Sequence, residues 1–543
     1  MPEAIFCIDW SKMSRLRQKR PFLLSALLVM LLAGWLYWPT LQLPLIYDTL
    51  LHIRIASGLT LGSVWLPTEA FGFYRPMTFF PMLIIQQLFN GYPAWLLHAN
   101  NVAQHAANAG LLAYLSWRLW ADWRRAFAAG AIFATFPFAY QAVAVYGHNV
   151  HPAIVGLVLL GLHGYLTAVS HPNPRKWWFA TIFTFLLMLL THETAVLFGG
   201  FAALVQLNAQ PVAPKQCRQF LRQPWLWFLL AGLAYLIIYQ FLPISRAPQV
   251  AATGNSLWLN GLYLLQAAVF PFAWFAHLLP NVSGAAVTLV SGGIVVAFSA
   301  WLAWKKPAWR LPLLLAWGWW GAASLLIGLA LPTDYLLRGP RLLYLGGVGV
   351  ALLWANLLAA VWNGRSTKSW GQPLLWAAIL LFILGSSGRF VRGKLQEYVQ
   401  LTEPVRLMQS VLNNAPADDE VVLVNLPQWL EKPPATYAVG VEFVSMLGGY
   451  LFAEELIDAN VAGKHPVWAV GLPELQSSPA YTFGIHNQHS WPPLAANKTR
   501  HVFITQFAPT QPETGYTGRL LPLTAVSQPT PIAQFDPYTL TSA

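Results

Sequence analysis

The sequence predicts a polytopic α-helical membrane protein of about eleven transmembrane helices, followed by a small extracytoplasmic domain of α/β or mainly β type. Three observations predict it. Hydrophobic residues make up 56% of the 543 residues and charged ones only 10%, far from the balance of a soluble domain. Apolar runs near the length that a bilayer core demands recur from Pro21 to about Ser387. After Arg389 acids return, and short β-branched runs replace the long apolar ones.

The elements follow in order. Residues 1–20 end in the basic stretch "MSRLRQKR", and the run "PFLLSALLVMLLAGWLYW" comes next. It is long enough to span, and no small-residue cleavage site follows, so it reads as a retained first helix behind a cytoplasmic N-terminus. Further spans are drawn at 97–117, 125–140, 152–169, 177–191, 194–208, 224–242, 283–304, 311–331, 342–361 and 372–388. The chain then alternates so that the basic clusters "WRLWADWRR", "NPRKWW", "APKQCRQFLRQ", "KKPAWR" and "NGRSTK" all fall inside, as the positive-inside rule requires. The stretch 257–280 is apolar but interrupted by Pro271. Counting it as a span would throw "KKPAWR" outside, so it is expected to be interfacial or re-entrant. The net charge of +12 thus serves topology, and no nucleic-acid partner is implied. Cys7 and Cys217 both fall in cytoplasmic segments and form no metal-binding spacing.

Acids are scarce. Between Trp10 and Gln396 there are five: Asp48, Glu69, Asp122, Glu193 and Asp334. Asp122 lies among Arg118, Arg124 and Arg125 on the inside, where a solvated ion pair is expected. The other four lie on the outer face, in the large first loop 39–96, the turn at 192–193 and the segment 332–341. Arg54, Arg75, Arg246, Arg338 and Arg341 are collected by the same face. A carboxylate near hydrocarbon is expensive and is a functional candidate by default. Arginines beside it suit an anionic, lipid-borne ligand.

Residues 395–543 carry "EVVLVN" and "HVFITQF" as strands between Pro-rich turns. They show no Ser-His-acid motif, phosphate loop or metal cluster, and are expected to cap the outer face with the chemistry left to the membrane part. "NVS" at 281 and "NKT" at 497 fit the N-glycosylation sequon.

The segments "LIYDTLLHIR", "FYRPMTFFPMLIIQQLF" and "HANNVAQHAANAGLLAYL", with "FPFAYQAVAVY", "THETAVLF" and "RGPRLLYLGG" in that order, carry a resemblance. Residues 21–390 resemble the polyprenyl-phosphate-dependent glycosyltransferases of the C superfamily (GT-C), in particular the membrane half of the tetratricopeptide-type protein O-mannosyltransferases. The resemblance implies an inverting transfer of a mannose-like sugar from a polyprenyl-phosphate-linked donor. The acceptor would be a hydroxyl on a protein, glycolipid or glycan at the outer membrane face. It also implies roles. Asp48 would be the general base and Glu193 a second acid. Arg75, His192, Arg338 and Arg341 would hold the donor phosphate. His52, Arg54, Glu69, His98 and His105 are further candidates. Where the family shows two adjacent acids, Asp48 is followed by Thr49, and Gln141 stands where an acid is common. No cofactor is therefore assigned, and a divalent metal is left open.

Structural alternatives stand beside these roles. Asp48 suits a helix N-cap, Arg75 a snorkelling arginine at the interface, and "THET" a capping motif. Pro76 is expected to open a helix behind Arg75. His98, Asn101, His105 and Asn108 form a polar stripe on one helix face, suited to bonding neighbouring helices as well as to touching substrate. His148 and His151 have metal-like spacing but no acid nearby in sequence. Other function classes also stay open: a lipid flippase or transporter, a polysaccharide polymerase or ligase, or a non-catalytic assembly protein for cell-surface polysaccharide.

Overall fold

The computed structural model describes residues 10–210, 221–245, 256–273, 275, 279, 282–362, 371–472, 482–490, 492, 499–509 and 516–523. Cys7, Cys217, Arg246, the sequon asparagines Asn281 and Asn497 and the clusters "APKQC" and "NGRSTK" lie outside the described residues.

Helices coincide with all the runs expected to span. Among the described residues six of them are long and apolar enough to cross a membrane: within Arg20–Gln42, Tyr146–Ser170, Gly284–Lys305, Pro307–Ala330, Pro340–Trp362 and Gly371–Leu412. The pair Trp123–Ala134 and Pro137–Ala144 bends by 43° and makes a seventh if it is one span. Glu193–Ala209, Trp225–Tyr239 and Leu257–Ala273 are shorter apolar helices, and Ala94–Trp120 carries the polar stripe. The structure thus supports a multi-pass helical bundle and does not establish the count of eleven. Hydropathy registers apolarity and not length or bend. The chain at 125–140 reads as one run, yet it breaks at Thr135–Phe136.

Burial orders the bundle. The window of highest hydropathy in Pro340–Trp362 is 94% buried inside the protein, against 33% for that of the first helix, so the helix Tyr344–Trp362 is the central post. It crosses Arg310–Ala330 closely at Gly349, where a Cβ would stand 2.5 Å from the Trp320 backbone nitrogen. The outward faces of the peripheral helices show Leu31, Phe179, Trp227, Ile294 and Leu325 to the surroundings, as lipid-facing surfaces do. Asp122 makes no ion pair among the described residues. Its carboxylate accepts from the Arg124 backbone N–H at 3.0 Å and caps the helix Trp123–Ala134. The neighbouring arginines instead lie on Trp120, Trp123, Trp309 and Trp362, where ring faces attract a cation.

The helix Gly371–Leu412 runs without a break from the last apolar span into the C-terminal part. Among the described residues seven strands follow it: β1 (Glu420–Val424), β2 (Pro427–Glu431), β3 (Val444–Ser445), β4 (Val467–Val470), β5 (Thr482–Ile485), β6 (Arg500–Pro509) and β7 (Tyr516–Leu523). One sheet has the order β4-β1-β6-β7, with β1 parallel to both neighbours and β7 antiparallel to β6. All five residues of β1 are buried, which matches the unbroken apolar reading of a central parallel strand. A second sheet, β3-β2-β5, is antiparallel and faces the membrane part.

Candidate functional site

A cavity of about 1000 Å³ opens where one end of the helical bundle meets the second sheet. Its lining comes from the segment 48–75 (Asp48, His52, Arg75), the stretches 148–151 and 192–193 (His148, His151, His192, Glu193), the segment Tyr335–Leu342 and the C-terminal stretch Gln428–Tyr450. Leu236, Leu326, Ile327, Ala330 and Leu331 make one wall apolar.

Asp48 opens the helix Asp48–Ala56 as its first residue. The N-cap position belongs to Tyr47, which makes no side-chain cap bond, so capping does not explain the acid. Tyr47 has a φ of 54°, a costly conformation for a bulky residue that persists only where neighbours enforce it. The neighbours come from the C-terminal part. The Tyr47 N–H donates to the Met446 carbonyl at 2.7 Å. The Asn460 amide accepts from the Leu45 N–H and donates to the Leu45 carbonyl, both at 2.8 Å. From the membrane side Gly147 closes on the same turn, where a Cβ would stand 2.4 Å from the Asp48 carbonyl carbon and the Thr49 nitrogen. Only glycine fits.

The Asp48 carboxylate, 19% exposed, lies 2.8 Å from His148 Nε2 through Oδ2 and accepts from the Tyr450 hydroxyl through Oδ1. His148 Nδ1 points at the Gln141 carbonyl at 3.0 Å. Burial pushes the Asp48 carboxyl up, but the His148 hydrogen bond and charge, Arg341 and Tyr450 outweigh it. The group is held well below the usual carboxylate range and stays ionised. Gln141 is the hinge of this wall. Its side-chain oxygen accepts from Arg341 Nη1 at 2.7 Å while its backbone orients His148. Arg341 is 6% exposed, and its Nη2 also reaches the Tyr335 hydroxyl at 3.3 Å.

Across the cavity Arg75 binds Glu193 in a fork, Nε to Oε1 at 3.1 Å and Nη2 to Oε2 at 2.7 Å, a planar two-bond match that lysine cannot make. The Tyr239 hydroxyl adds a third bond to Glu193 Oε1 at 2.8 Å. Pro76 does open the helix Pro76–Phe89 directly behind Arg75. The Arg75 charge is nevertheless already engaged. His192 Nδ1 accepts from the Thr194 N–H at 3.2 Å and caps the turn Glu193–Leu197, so its 3.5 Å approach to Glu193 is not a charged bridge. His151 bridges the two walls, its ring 6.5 Å from that of His148 and 5.6 Å from that of His192. Arg338 stands exposed on the cavity lining with no hydrogen bond or ion pair to a described residue.

The other candidates fall elsewhere. Glu69 and Asp334 are exposed and outside the cavity. Arg54 is exposed and pairs with Glu455 of the C-terminal part. His52 lines the cavity between the rings of Phe71 and Phe79, and burial pushes it down to about 4, so it is neutral. His98 and His105 are buried in the bundle, with His98 Nε2 at 3.3 Å from the Pro44 carbonyl, and His105 between the Ala134 carbonyl at 3.1 Å and the Tyr344 hydroxyl at 2.7 Å. Sequence reasoning missed Tyr450, Tyr239, Tyr335 and Asn460. It noticed His148 but lacked its acid, because Asp48 lies a hundred positions upstream. Among the described residues no group of three or more His, Cys, Asp or Glu is placed to hold a metal.

No family profile and no curated protein matches the chain. Among solved structures it is similar to the oligosaccharyltransferase of Archaeoglobus fulgidus. Against the apo form the TM-score is 0.44 at 13% identity, covering 78% of this chain and 63% of that one. Against the form in complex with an inhibitory peptide and a dolichol-phosphate the TM-score is 0.43 at 13% identity, covering 74% and 62%. Against the form tethered to an acceptor peptide containing an NVT sequon it is 0.41 at 11% identity, covering 78% and 62%. The chain thus spans under two thirds of the length of these enzymes.

Proposed function

We propose that the chain is a membrane glycosyltransferase of the GT-C type, moving a sugar from a polyprenyl-phosphate donor to an acceptor hydroxyl at the outer face. One observation carries the reading. A single cavity joins an ionised carboxylate, two arginines from the segment Tyr335–Leu342 and an apolar wall, which together suit an amphiphile with an anionic head. The isoprenoid would lie along Leu236, Leu326 and Ile327, and the phosphate would meet Arg338 and Arg341. The acceptor oxygen forms the new bond to the anomeric carbon from the face opposite the phosphate. The old carbon–oxygen bond breaks with its electron pair going to the phosphate, and the acceptor proton goes to Asp48. A carboxylate of low basicity suffices late in such a displacement, because the attacking hydroxyl becomes strongly acidic as its new bond forms. Arg338 and Arg341 oppose the charge that grows on the leaving phosphate.

The sugar is taken as mannose-like and the acceptor as a protein, glycolipid or glycan hydroxyl. Transfer from polyprenyl-phosphate mannose by the purified protein, with and without chelator, tests the reading; absence of sugar transfer to any hydroxyl acceptor would sink it. Its sidedness has its own check. Ser410→Cys should react with an impermeant thiol reagent in intact cells, and reaction only after permeabilisation would put the site on the wrong face.

A further inference from the structure

We propose that Tyr450 occupies the acceptor's seat, closing Asp48 until an incoming hydroxyl displaces it. This rests on the glycosyltransferase reading above and deepens it.

The two oxygens of Asp48 differ. Oδ2 is turned to His148, which is 2% exposed in the wall. Oδ1 is the oxygen left for a substrate, and the Tyr450 hydroxyl donates to it. A phenol donating to this oxygen is the geometry that a sugar, serine or threonine hydroxyl needs for its proton to pass to Asp48. Substrate and side chain therefore compete for one lone pair.

Tyr450 is built to leave. It is 41% exposed and sits in the turn Gly448–Leu451, closed by the Leu451 N–H donating to the Gly448 carbonyl at 3.1 Å. Its ring lies over Gly448, where a Cβ would come within 2.8 Å of ring atoms, so a larger residue would lift the ring from its seat. Its hydroxyl has no partner other than Asp48 among the described residues. The domain around it is fixed by separate bonds, Asn460 to Leu45 and Met446 to Tyr47. A side-chain rotation thus opens Oδ1 without undocking the sheet. While closed, the Tyr450 hydroxyl holds Oδ1, so water must displace it just as an acceptor must, and a donor bound without an acceptor is spared hydrolysis. Tyr450 is in this sense a positioning residue that also selects for acceptors able to outcompete a phenol.

Two measurements on the full-length protein in detergent test the closure. The first needs no sugar transfer. A water-soluble carbodiimide with a small amine labels accessible carboxyls, read residue by residue by peptide mass spectrometry. Asp48 should label about tenfold faster in Tyr450→Ala than in wild type, with Tyr450→Phe between them, while exposed Glu69 labels equally in all three. Equal Asp48 rates in wild type and Tyr450→Ala overturn the proposal. The second uses water as the probe acceptor and polyprenyl-phosphate mannose as donor. Losing one hydrogen bond to a charged group shifts the competition by roughly tenfold. Tyr450→Phe should therefore hydrolyse donor about tenfold faster, and its KM for glycerol as acceptor should fall similarly. A fall in hydrolysis would make Tyr450 part of the chemistry and overturn the closure. If no variant hydrolyses donor while the labelling difference holds, the closure stands and the glycosyltransferase reading fails.

Discussion

His98, Asn101, His105 and Asn108 inside the bundle, and Asp48, His148, His151 and His192 around the cavity, are two sets of polar side chains in an apolar chain, and they meet burial differently. The bundle set serves the backbone. Asn101 donates toward the carbonyls of Ala142, Val143 and Val145 at 3.1–3.4 Å, the end of the short helix Tyr140–Ala144. His105 meets the Ala134 carbonyl where the preceding helix stops, and Asn108 meets that of Pro152 at 2.8 Å. A broken span leaves carbonyls that hydrocarbon cannot satisfy, and Asn101 and His105 meet them. The cavity set is held by side chains and backbone from distant segments and borders empty volume. Polar groups that complete a backbone are structural, whereas polar groups gathered from far apart around a void are candidates for chemistry.

The sharpest way to break that contrast is at Asp48. Asp48→Asn keeps the shape and leaves an oxygen for His148, but takes no proton at neutral pH. Sugar transfer should fall by about 10²–10⁴-fold, with the melting temperature little changed. Near-normal turnover would move Asp48 into the structural set and send the search for a base to Glu193. Opposite behaviour is expected of His105→Leu, which strips the Ala134 carbonyl and leaves the Tyr344 hydroxyl only the 3.4 Å bond from Asn108. Stability should drop by about 1–3 kcal/mol, read as a lower melting temperature, while the turnover of each folded molecule is retained.

A smaller effect separates the cations. The Arg75 charge is met by Glu193, the buried Arg341 bonds the neutral Gln141 and Tyr335, and Arg338 stands exposed on the lining with no partner among the described residues. Arg338→Ala should raise the donor KM about tenfold, the scale of one charge-assisted bond, with kcat changed less. If kcat falls instead and KM holds, Arg338 acts on the leaving group alone and the bound donor is held by other residues.

Much of this arrangement was legible from sequence because acids are so rare. Scarcity alone singled out Asp48 and Glu193, and the positive-inside count put them on one face with Arg75, Arg338 and Arg341. The same count also gathered Glu69 and Asp334, which share the face but not the cavity. A face is a two-dimensional statement, and which loops fold inward depends on packing. Tyr450 and Asn460 were illegible for a plainer reason. Each reaches its partner across some four hundred residues, and neither stands in a local pattern. The polar stripe was visible as periodicity, yet its purpose required knowing that the next helix breaks at Thr135–Phe136.

Glu442 is the intermediate case, and it carries the smallest prediction. It lies beside the cavity-lining Val441 and Phe443 and is 1% exposed. Its Oε1 accepts from the Thr436 N–H at 2.5 Å, a backbone service like that of the stripe. Its Oε2 is buried with no partner among the described residues. The charged groups around it are Lys394, Glu397 and Glu431, and Lys394 is already bound to Glu397 at 2.8 Å. Burial raises the Glu442 carboxyl, Lys394 opposes it and the two acids reinforce it, so the group is pushed up from 4.5 to about 7. The native state therefore holds a proton that the unfolded chain releases near its ordinary value. Between these two values the unfolded state binds fewer protons, so stability falls as pH rises from about 4.5 to about 7 and is flat above. Glu442→Gln copies the protonated form and keeps the Thr436 bond. It should flatten that slope and leave the protein more stable than wild type at pH 8, by an amount on the order of 1 kcal/mol. Melting curves in detergent from pH 5 to 8 decide it. Parallel wild-type and variant curves would mean that Oε2 finds a charge-stabilising partner, and Glu442 would then belong with the cavity set.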